Sequence, residues 1–407
     1  MAAHRLQLGI SSLVLVLLAP GIANAAHQDS HHYCLGSAAT VIGTPGDDLL
    51  KGTEGADVIA GLSGDDSVLG LGGDDYICAG EGDDFVMAGD GADFTFGGEG
   101  DDELASSEGN DHTYGGADVD LVMGDAGDDV VRGGPEYDTV SLDRDEVIGG
   151  FGNDLLLDSG GLDAFVGGEG NDSLGYGAGV ALIDLTEGVA VSENDTVDSV
   201  SGVENVLGYE GTVDRGRERG LDPVIRGDGE DNILVGGLGV DHIYGLGGND
   251  LIDGYCGADE LHGGAGSADV ASFRVSYSTV TASLETGTAT RGACGFGQQI
   301  LIAGFEGLAG GYGNDSLTGD GTNNYLYGGP SGNDLLSGLG GDDVLEGAGH
   351  RDALNGGAGT DRCLNGENNV DCEVSVERFG PRQREAVELL RRYAVILAIS
   401  NPFEPER

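Results

Sequence analysis

The chain has 407 residues, of which 72 are acidic and 18 are basic, so its formal net charge is −54. A field of that sign repels phosphate, which argues against nucleic acid as a partner and favours a cation. A chain this acidic could be disordered. However, 39% of its residues are hydrophobic, and they recur at a fixed spacing that indicates a folded core.

The N-terminus is typical of an export signal. Arg5 precedes an apolar run over residues 8–18, and residues 23–25 form an A-x-A cleavage site. The apolar run is too short to cross a membrane as a helix. We expect a signal peptide over residues 1–25, export by the general pathway, and a secreted, extracellular chain whose N-terminal segment spans 26–42.

From Gly43 onward, the sequence divides into consecutive nine-residue repeats. Glycine is common at the first, second and fourth places, and nine of the first eleven repeats have an aliphatic residue at the eighth place. The sixth place of these eleven repeats is always aspartate: Asp48, Asp57, Asp66, Asp75, Asp84, Asp93, Asp102, Asp111, Asp120, Asp129 and Asp138. The register then slips by two residues and resumes with Asp154, Asp163 and Asp172. We expect a first array over residues 43–175.

A nine-residue period of this kind predicts an all-β fold, a parallel β-roll or β-solenoid. The glycines permit a tight turn, and the last three places, with a branched apolar residue in the middle, suit a short strand. Two turns and two strands form one coil of eighteen residues, and successive coils stack at an inter-strand spacing of about 4.7–4.9 Å. The apolar residues then face inward, and the aspartates form rows along two edges.

Stacked aspartates repel one another unless a cation lies between them. Calcium accepts six to eight carboxylate and carbonyl oxygens, whereas magnesium demands a stricter octahedron and retains its waters. Zinc prefers histidine or cysteinate, and the repeats hold neither at ligand spacing. The turns therefore predict multiple Ca²⁺ ions. The acidic residue that often stands at the fifth place, such as Asp74 or Asp83, is expected to face solvent.

The pattern GGxGxDxUx, clear in Gly97–Ala105, resembles the calcium-binding nonapeptide of the repeats-in-toxin (RTX, hemolysin-type) family. The resemblance implies calcium held between adjacent turns by sixth-place aspartates and glycine-turn carbonyls. Carried over to this sequence, Asp48 pairs with Asp66, and the series continues to Asp120 with Asp138.

Two more arrays follow, over residues 227–268 and 310–373. Their expected metal ligands are Asp241, Asp250 and Asp259 in the second array and Asp315, Asp334, Asp343, Asp352 and Asp361 in the third. Asn232 and Asn324 occupy sixth places, where an amide should weaken calcium binding.

The stretches between the arrays, 176–226 and 269–309, resemble each other in sequence. "VALIDLTEGVAV" in the first parallels "VTASLETGTAT" in the second, and both alternate as strands do. We interpret them as β-rich connectors that continue the solenoid without calcium, with plain linkers as the alternative.

Six cysteines in an exported chain favour disulfides. The simplest local scheme pairs Cys363 with Cys372, Cys34 with Cys78, and Cys256 with Cys294. Some of these cysteines staying reduced and buried is the alternative.

Residues 374–407 differ in character from the repeats and predict an amphipathic helix, with Pro381 near its start and Pro402 beyond its end. A solenoid needs its open end covered, so we interpret this helix as a cap. Contact with a membrane or partner through Arg384, Arg391 and Arg392 is the alternative.

The sequence contains neither His-Glu-x-x-His nor Gly-x-Ser-x-Gly, and the repeats, connectors and helix leave no segment for a catalytic domain. We therefore expect a secreted, non-catalytic calcium-binding protein that folds on extracellular calcium. A calcium-dependent adhesin or a structural component of the extracellular matrix or cell surface is the alternative, and a protein or glycan partner stays open.

Overall fold

The computed structural model of the protein describes residues 33–134, 144–158, 160–176, 180–192, 196–208, 223–274, 276–292 and 298–372. All regular secondary structure in these ranges is β-strand, wound into a parallel solenoid of about sixteen turns. The predicted all-β solenoid is confirmed. The expected signal peptide and the expected C-terminal helix lie outside the described residues. Within the described ranges, no helix is long and apolar enough to cross a membrane.

Each coil contributes one strand to each of two sheets. The 16-stranded sheet contains, in order, Val41–Ile42, Val58–Ser63, Tyr76–Glu81, Phe94–Glu99, His112–Ala117, Val130–Arg132, Leu155–Leu157, Ser173–Tyr176, Asn205–Gly208, Ile233–Val235, Leu251–Asp253, Val270–Ser272, Gly307–Ala309, Tyr325–Tyr327, Val344–Glu346 and Arg362–Leu364.

The second sheet has 20 strands among the described residues. In chain order they are Leu49–Lys51, Ser67–Gly72, Phe85–Asp90, Glu103–Glu108, Leu121–Ala126, Glu146–Gly152, Ala164–Gly170, Val180–Asp184, Val189–Ser192, Val197–Ser201, Val224–Arg226, His242–Gly247, Glu260–Ala265, Val280–Ser283, Thr288–Arg291, Gln298–Ala303, Ser316–Thr318, Leu335–Gly340, Ala353–Ala358 and Asn368–Val370. A separate pair, Tyr33–Cys34 and Ser37–Ala38, precedes them.

The core lies between the two sheets and is built from the eighth-place residues. Val68 pairs with Val86, Val86 with Leu104, and Leu104 with Val122, in parallel register eighteen residues apart. All four side chains are fully buried. Because side chains alternate along a strand, the seventh- and ninth-place residues on either side point away from this core. In the 16-stranded sheet several of them, including Ile233 and Leu251, are buried in a second apolar cluster.

The fourth-place glycine allows the coils to stack closely. Gly82 has a φ of +126°, and a Cβ there would lie 2.5 Å from the carbonyl oxygen of Gly64 in the adjacent coil. A side chain at this place would therefore both strain the backbone and collide with the neighbouring turn.

The two connectors widen one sheet without interrupting the other. In the first, Val180–Asp184, Val189–Ser192 and Val197–Ser201 pair antiparallel in succession. In the 16-stranded sheet, Ser173–Tyr176 pairs directly with Asn205–Gly208 across the same break. The second connector repeats the arrangement with Val280–Ser283, Thr288–Arg291 and Gln298–Ala303. Each connector thus adds two strands to the larger sheet.

Disulfides join the ends of the roll to neighbouring coils. Cys34 is bonded to Cys78, which ties the N-terminal strand pair to the 16-stranded sheet, and Cys363 is bonded to Cys372. Cys256 is also disulfide-bonded. Its predicted partner, Cys294, lies outside the described residues.

Candidate metal centre

Two rows of sixth-place aspartates run along the edges of the roll, where turns connect the sheets. The first edge carries Asp48, Asp66, Asp84, Asp102 and Asp120, and the second carries Asp57, Asp75, Asp93, Asp111 and Asp129. Each main-chain N–H donates to Oδ1 of the aspartate one coil further on, at 2.7 to 3.0 Å in these two series. The preceding coil therefore fixes the orientation of each carboxylate.

The other carboxylate oxygen of most row members, Oδ2, is buried and accepts no hydrogen bond from the residues that the structure describes. This group contains Asp66, Asp75, Asp84, Asp93, Asp102, Asp111, Asp120, Asp129, Asp154, Asp163, Asp172, Asp250, Asp269, Asp334, Asp343 and Asp352. Leaving a buried charged oxygen unpaired is costly, so the rows require either protons or cations.

Row carboxylates and main-chain carbonyls approach the same turn glycines. A Cβ at Gly61 would lie 2.4 Å from Asp66 Oδ2 and 2.2 Å from the carbonyl oxygen of Ala79, so only glycine fits between these two oxygens. Carboxylate and carbonyl oxygens are the ligands that calcium prefers. Among the described residues, no three His, Cys, Asp or Glu side chains converge as a metal-binding group. Calcium at these edges would therefore be held by carboxylates together with main-chain carbonyls.

Without a cation, burial favours the protonated form of the row. On the first edge, burial raises the pKa of Asp84 to about 6, of Asp102 to about 7 and of Asp120 to about 9. The hydrogen bond from the previous coil lowers each pKa, and the neighbouring row carboxylate raises it again. A bound calcium ion would supply the positive charge that keeps these groups ionised.

In the first row member on each edge, the protein itself donates hydrogen bonds to the second carboxylate oxygen. Oδ2 of Asp48 accepts hydrogen bonds from the main-chain N–H and the hydroxyl of Thr44. Thr53 does the same for Asp57, and hydrogen bonds from the Thr40 hydroxyl and from Thr53 lower the pKa of that carboxyl.

In two aspartates of the later arrays, Oδ2 also accepts a hydrogen bond from the protein. The main-chain N–H groups of Gly237 and Gly311 donate to Oδ2 of Asp241 and Asp315, at 2.9 and 2.7 Å. Because protein donors already satisfy Oδ2 in these four aspartates, they are the predicted ligands at which a bound ion would compensate the least unpaired charge.

The ends of the second and third arrays also lie on the rows. Asp259 Oδ1 accepts from the N–H of Asp241 at 3.2 Å, and Asp361 Oδ1 accepts from the N–H of Asp343 at 2.9 Å. Asn232 and Asn324 occupy row positions too, and their N–H groups donate to Asp250 and Asp343.

The predicted pairing of Asp120 with Asp138 is wrong. The N–H of Asp120 donates instead to Asp145 Oδ1, at 2.9 Å and 25 residues further on. Seven extra residues therefore separate these coils, and Asp138 itself lies outside the described residues. The sequence does mark Asp145, because it stands nine residues before Asp154 and two before the buried Val147.

Four other row residues fall in the predicted connectors. Asp198, Glu204, Asp269 and Glu306 accept main-chain N–H groups from Asp163, Asp172, Asp250 and Asp269. Each is an acid followed two places later by a buried apolar residue, and this three-residue pattern could have located them.

The fifth-place acids that the structure describes in the first array are exposed, as expected. Asp65 and Asp83 form a ladder of their own in which the N–H of Asp83 donates to Asp65 Oδ1 at 3.1 Å. Because this ladder faces water, it adds charge without the burial that marks the sixth-place row.

Without calcium, we expect the roll to lose strand content as the pH rises from about 5 to about 9. The pKa values of Asp84, Asp102 and Asp120 lie above the ordinary value of 3.8, so the folded state binds more protons than the unfolded state. The resulting stabilisation is complete below about pH 4 and disappears as the pH passes through about 6 to 9. Circular dichroism in chelator measures this loss, with calcium-saturated protein as the control. Equal strand content of the chelated protein at both pH values would contradict it.

A comparison with protein families agrees with this geometry. The model of the RTX calcium-binding nonapeptide repeat matches residues 42–77, 70–104, 79–113, 106–140, 141–174, 226–259, 235–267, 304–330 and 331–363, which together cover more than half of the chain. A search of curated proteins finds no match. The stacked glycine turns, the aspartate rows and the family match lead to one conclusion: the chain belongs to the RTX family of calcium-binding nonapeptide repeats.

Proposed function

We propose that this protein is a secreted, non-catalytic calcium-binding β-roll whose folding is completed by extracellular calcium. The observation that carries this proposal is the row of buried Oδ2 atoms, which accept no hydrogen bond from the described residues. The net charge of −54 adds a general repulsion that bound divalent cations reduce.

Calcium binding raises the free energy of unfolding because each site is formed by two coils and exists only when those coils are stacked. In the unfolded chain, Asp75 and Asp93 are separated by eighteen residues of flexible backbone, whereas in the roll the N–H of Asp75 donates to Asp93 Oδ1 at 2.8 Å. At a calcium concentration ten times the dissociation constant, each site adds about 1.4 kcal/mol. About ten such sites would contribute about 14 kcal/mol, comparable with the total stability of a typical domain.

The calcium dependence suits a protein that folds after export. Extracellular calcium modules commonly bind with dissociation constants of about 10⁻⁴–10⁻³ M, far above the calcium level of a cytoplasm. The disulfide between Cys34 and Cys78 is of the kind that persists in an oxidising compartment. Together with the signal-like residues 1–25, these features support secretion.

We expect the chain over residues 26–407 to gain strand content and contract when calcium is added at neutral pH. In Asp102→Asn, one row carboxylate is lost and binding at the sites beside it weakens by about 1.5–3 kcal/mol, so the calcium midpoint rises. Circular dichroism and hydrodynamic radius during a calcium titration measure both effects.

Asp101→Asn is the matched control, since it removes the same charge from an exposed fifth-place residue one position away. Its calcium midpoint should stay close to that of the wild type, because surface substitutions usually change stability by less than about 0.5 kcal/mol. Strand content that is indifferent to chelator, or equal midpoints for the two variants, would refute the proposal.

Expression of the full chain in a bacterial host tests export separately. We expect the protein outside the cytoplasm, with an N-terminus at Ala26 by mass spectrometry, because residues 23–25 form a small-residue cleavage site. Ala25→Arg should block cleavage and leave the precursor intact. Recovery of wild-type protein in the cytoplasm with residues 1–25 attached would count against secretion.

A further inference from the structure

At two places on the second edge, a Glu–Asn pair interrupts the row of aspartates. The N–H of Asp172 donates to Glu204 Oε2 at 2.7 Å, and the next row member is Asn232. The same order recurs after Asp269, where Glu306 and then Asn324 follow. We call the pairs Glu204–Asn232 and Glu306–Asn324 the first and second seams. Each lies beside one of the connectors.

In the first seam, an amide N–H group lies between oxygens of neighbouring turns. Asn232 Nδ2 donates to the carbonyl oxygen of Glu204 at 2.8 Å and to Asp228 Oδ1 at 3.4 Å. Asn232 Oδ1 accepts the main-chain N–H of Asp228 at 2.9 Å. Both ends of the buried amide therefore have protein partners, unlike the aspartate Oδ2 atoms of the arrays.

The second seam repeats these contacts. Asn324 Nδ2 donates to the carbonyl oxygen of Glu306 at 3.4 Å and to Asp320 Oδ1 at 3.3 Å, and its Oδ1 accepts the N–H of Asp320 at 2.7 Å. Both turns have the sequence Gly-Asp-Gly-x-x-Asn, over 227–232 and 319–324. An aspartate at the second place thus accompanies the sixth-place asparagine in both copies.

The backbone of each seam explains why an amide is needed there. Within the arrays, the main-chain N–H of a row aspartate donates to the next carboxylate. The N–H of Glu204 instead donates to the carbonyl oxygen of Asp172, and that of Glu306 to the carbonyl oxygen of Asp269. A carboxylate at position 232 would therefore place an oxygen against the Glu204 carbonyl with no hydrogen between them. The asparagine N–H supplies that hydrogen.

An arginine serves a related purpose on the first edge beside the second connector. The Arg291 side chain is only 4% exposed, and its guanidinium lies 3.4 Å from Asp259 Oδ2 and 3.4 Å from Asp253 Oδ1. Arginine stays protonated at all physiological pH values, so it provides a permanent positive charge beside a row carboxylate.

We propose that the two seams, and the contact of Arg291 with Asp259 on the other edge, are metal-free joints beside the calcium-binding arrays. The amides of Asn232 and Asn324 take the place of calcium in the seams, and the guanidinium of Arg291 does so at Asp259. This inference rests on the proposed function, because a metal-free joint is meaningful only in a roll that binds calcium elsewhere. It also gives the connectors a function. In the coils beside the extra hairpins, the polar groups of the turns are hydrogen-bonded within the protein, and only the arrays bind calcium.

The test is the number of calcium ions bound, measured by equilibrium dialysis with elemental analysis and by native mass spectrometry. Above the pKa of the new carboxyl, Asn232→Asp and Asn324→Asp should each add one ion, since each replaces the amide N–H with an ionised oxygen that requires a cation between it and the facing carbonyl. Arg291→Gln should also add one ion, at Asp259. Asp250→Asn, in the row beside the first seam, is the control and should lose at least one ion.

Asn232→Ala and Asn324→Ala keep the test decisive where an aspartate variant does not fold. If the joints are metal-free, both alanine variants bind as many ions as the wild type. Loss of an ion from either one would show that the asparagine is a calcium ligand and would overturn the inference, as would an unchanged count in folded Asn232→Asp. A wild-type protein that binds no calcium would refute the proposed function itself, whereas normal wild-type and Asp250→Asn results with no gain in Asn232→Asp would refute the seams alone.

Discussion

Most of the described sixth-place aspartates turn one carboxylate oxygen toward the main chain of the preceding coil and leave the other buried at the edge of the roll. The hydrogen bond from Asp84 N to Asp102 Oδ1, at 2.8 Å, makes this orientation part of the backbone ladder. Asp102 Oδ2 is then buried without a donor among the described residues. The same contact that stacks the coils thus leaves a buried oxygen that requires a positive charge, so the same residues build the fold and its proposed calcium sites.

When no cation is present, the apolar core stabilises the roll and the acidic edges destabilise it. The eighth-place row through Val86 and Leu104 is fully buried, and each such side chain contributes about 1.5–3 kcal/mol on leaving water. Most coils that add one of these residues also add buried carboxylates, and burial raises the pKa values of row members such as Asp84 and Asp102. An apolar core alone would favour a roll at any calcium level, and the proposed dependence of its stability on calcium arises from the acidic edges.

The nine-residue period predicted the solenoid, its inward apolar row and the stacking of Asp75 with Asp93, because all three follow from eighteen residues per coil. It failed at the insertion before Asp145, since counting forward from Asp120 reaches Asp138, whereas only counting back nine residues from Asp154 reaches Asp145. Glu204 and Glu306 were missed because they follow antiparallel hairpins that change the sequence separation to 32 and 37 residues. The approach of Arg291 to Asp259 depends on the pairing of those hairpin strands and has no local sequence signal.

Anomalous diffraction from crystals of the calcium-loaded protein is the most direct test of the central claim. The account predicts calcium peaks between stacked turns on both edges of the first array, next to Oδ2 of residues such as Asp84, Asp93 and Asp102. Absence of anomalous density at these carboxylates under saturating calcium, in a roll of the same fold, would contradict it.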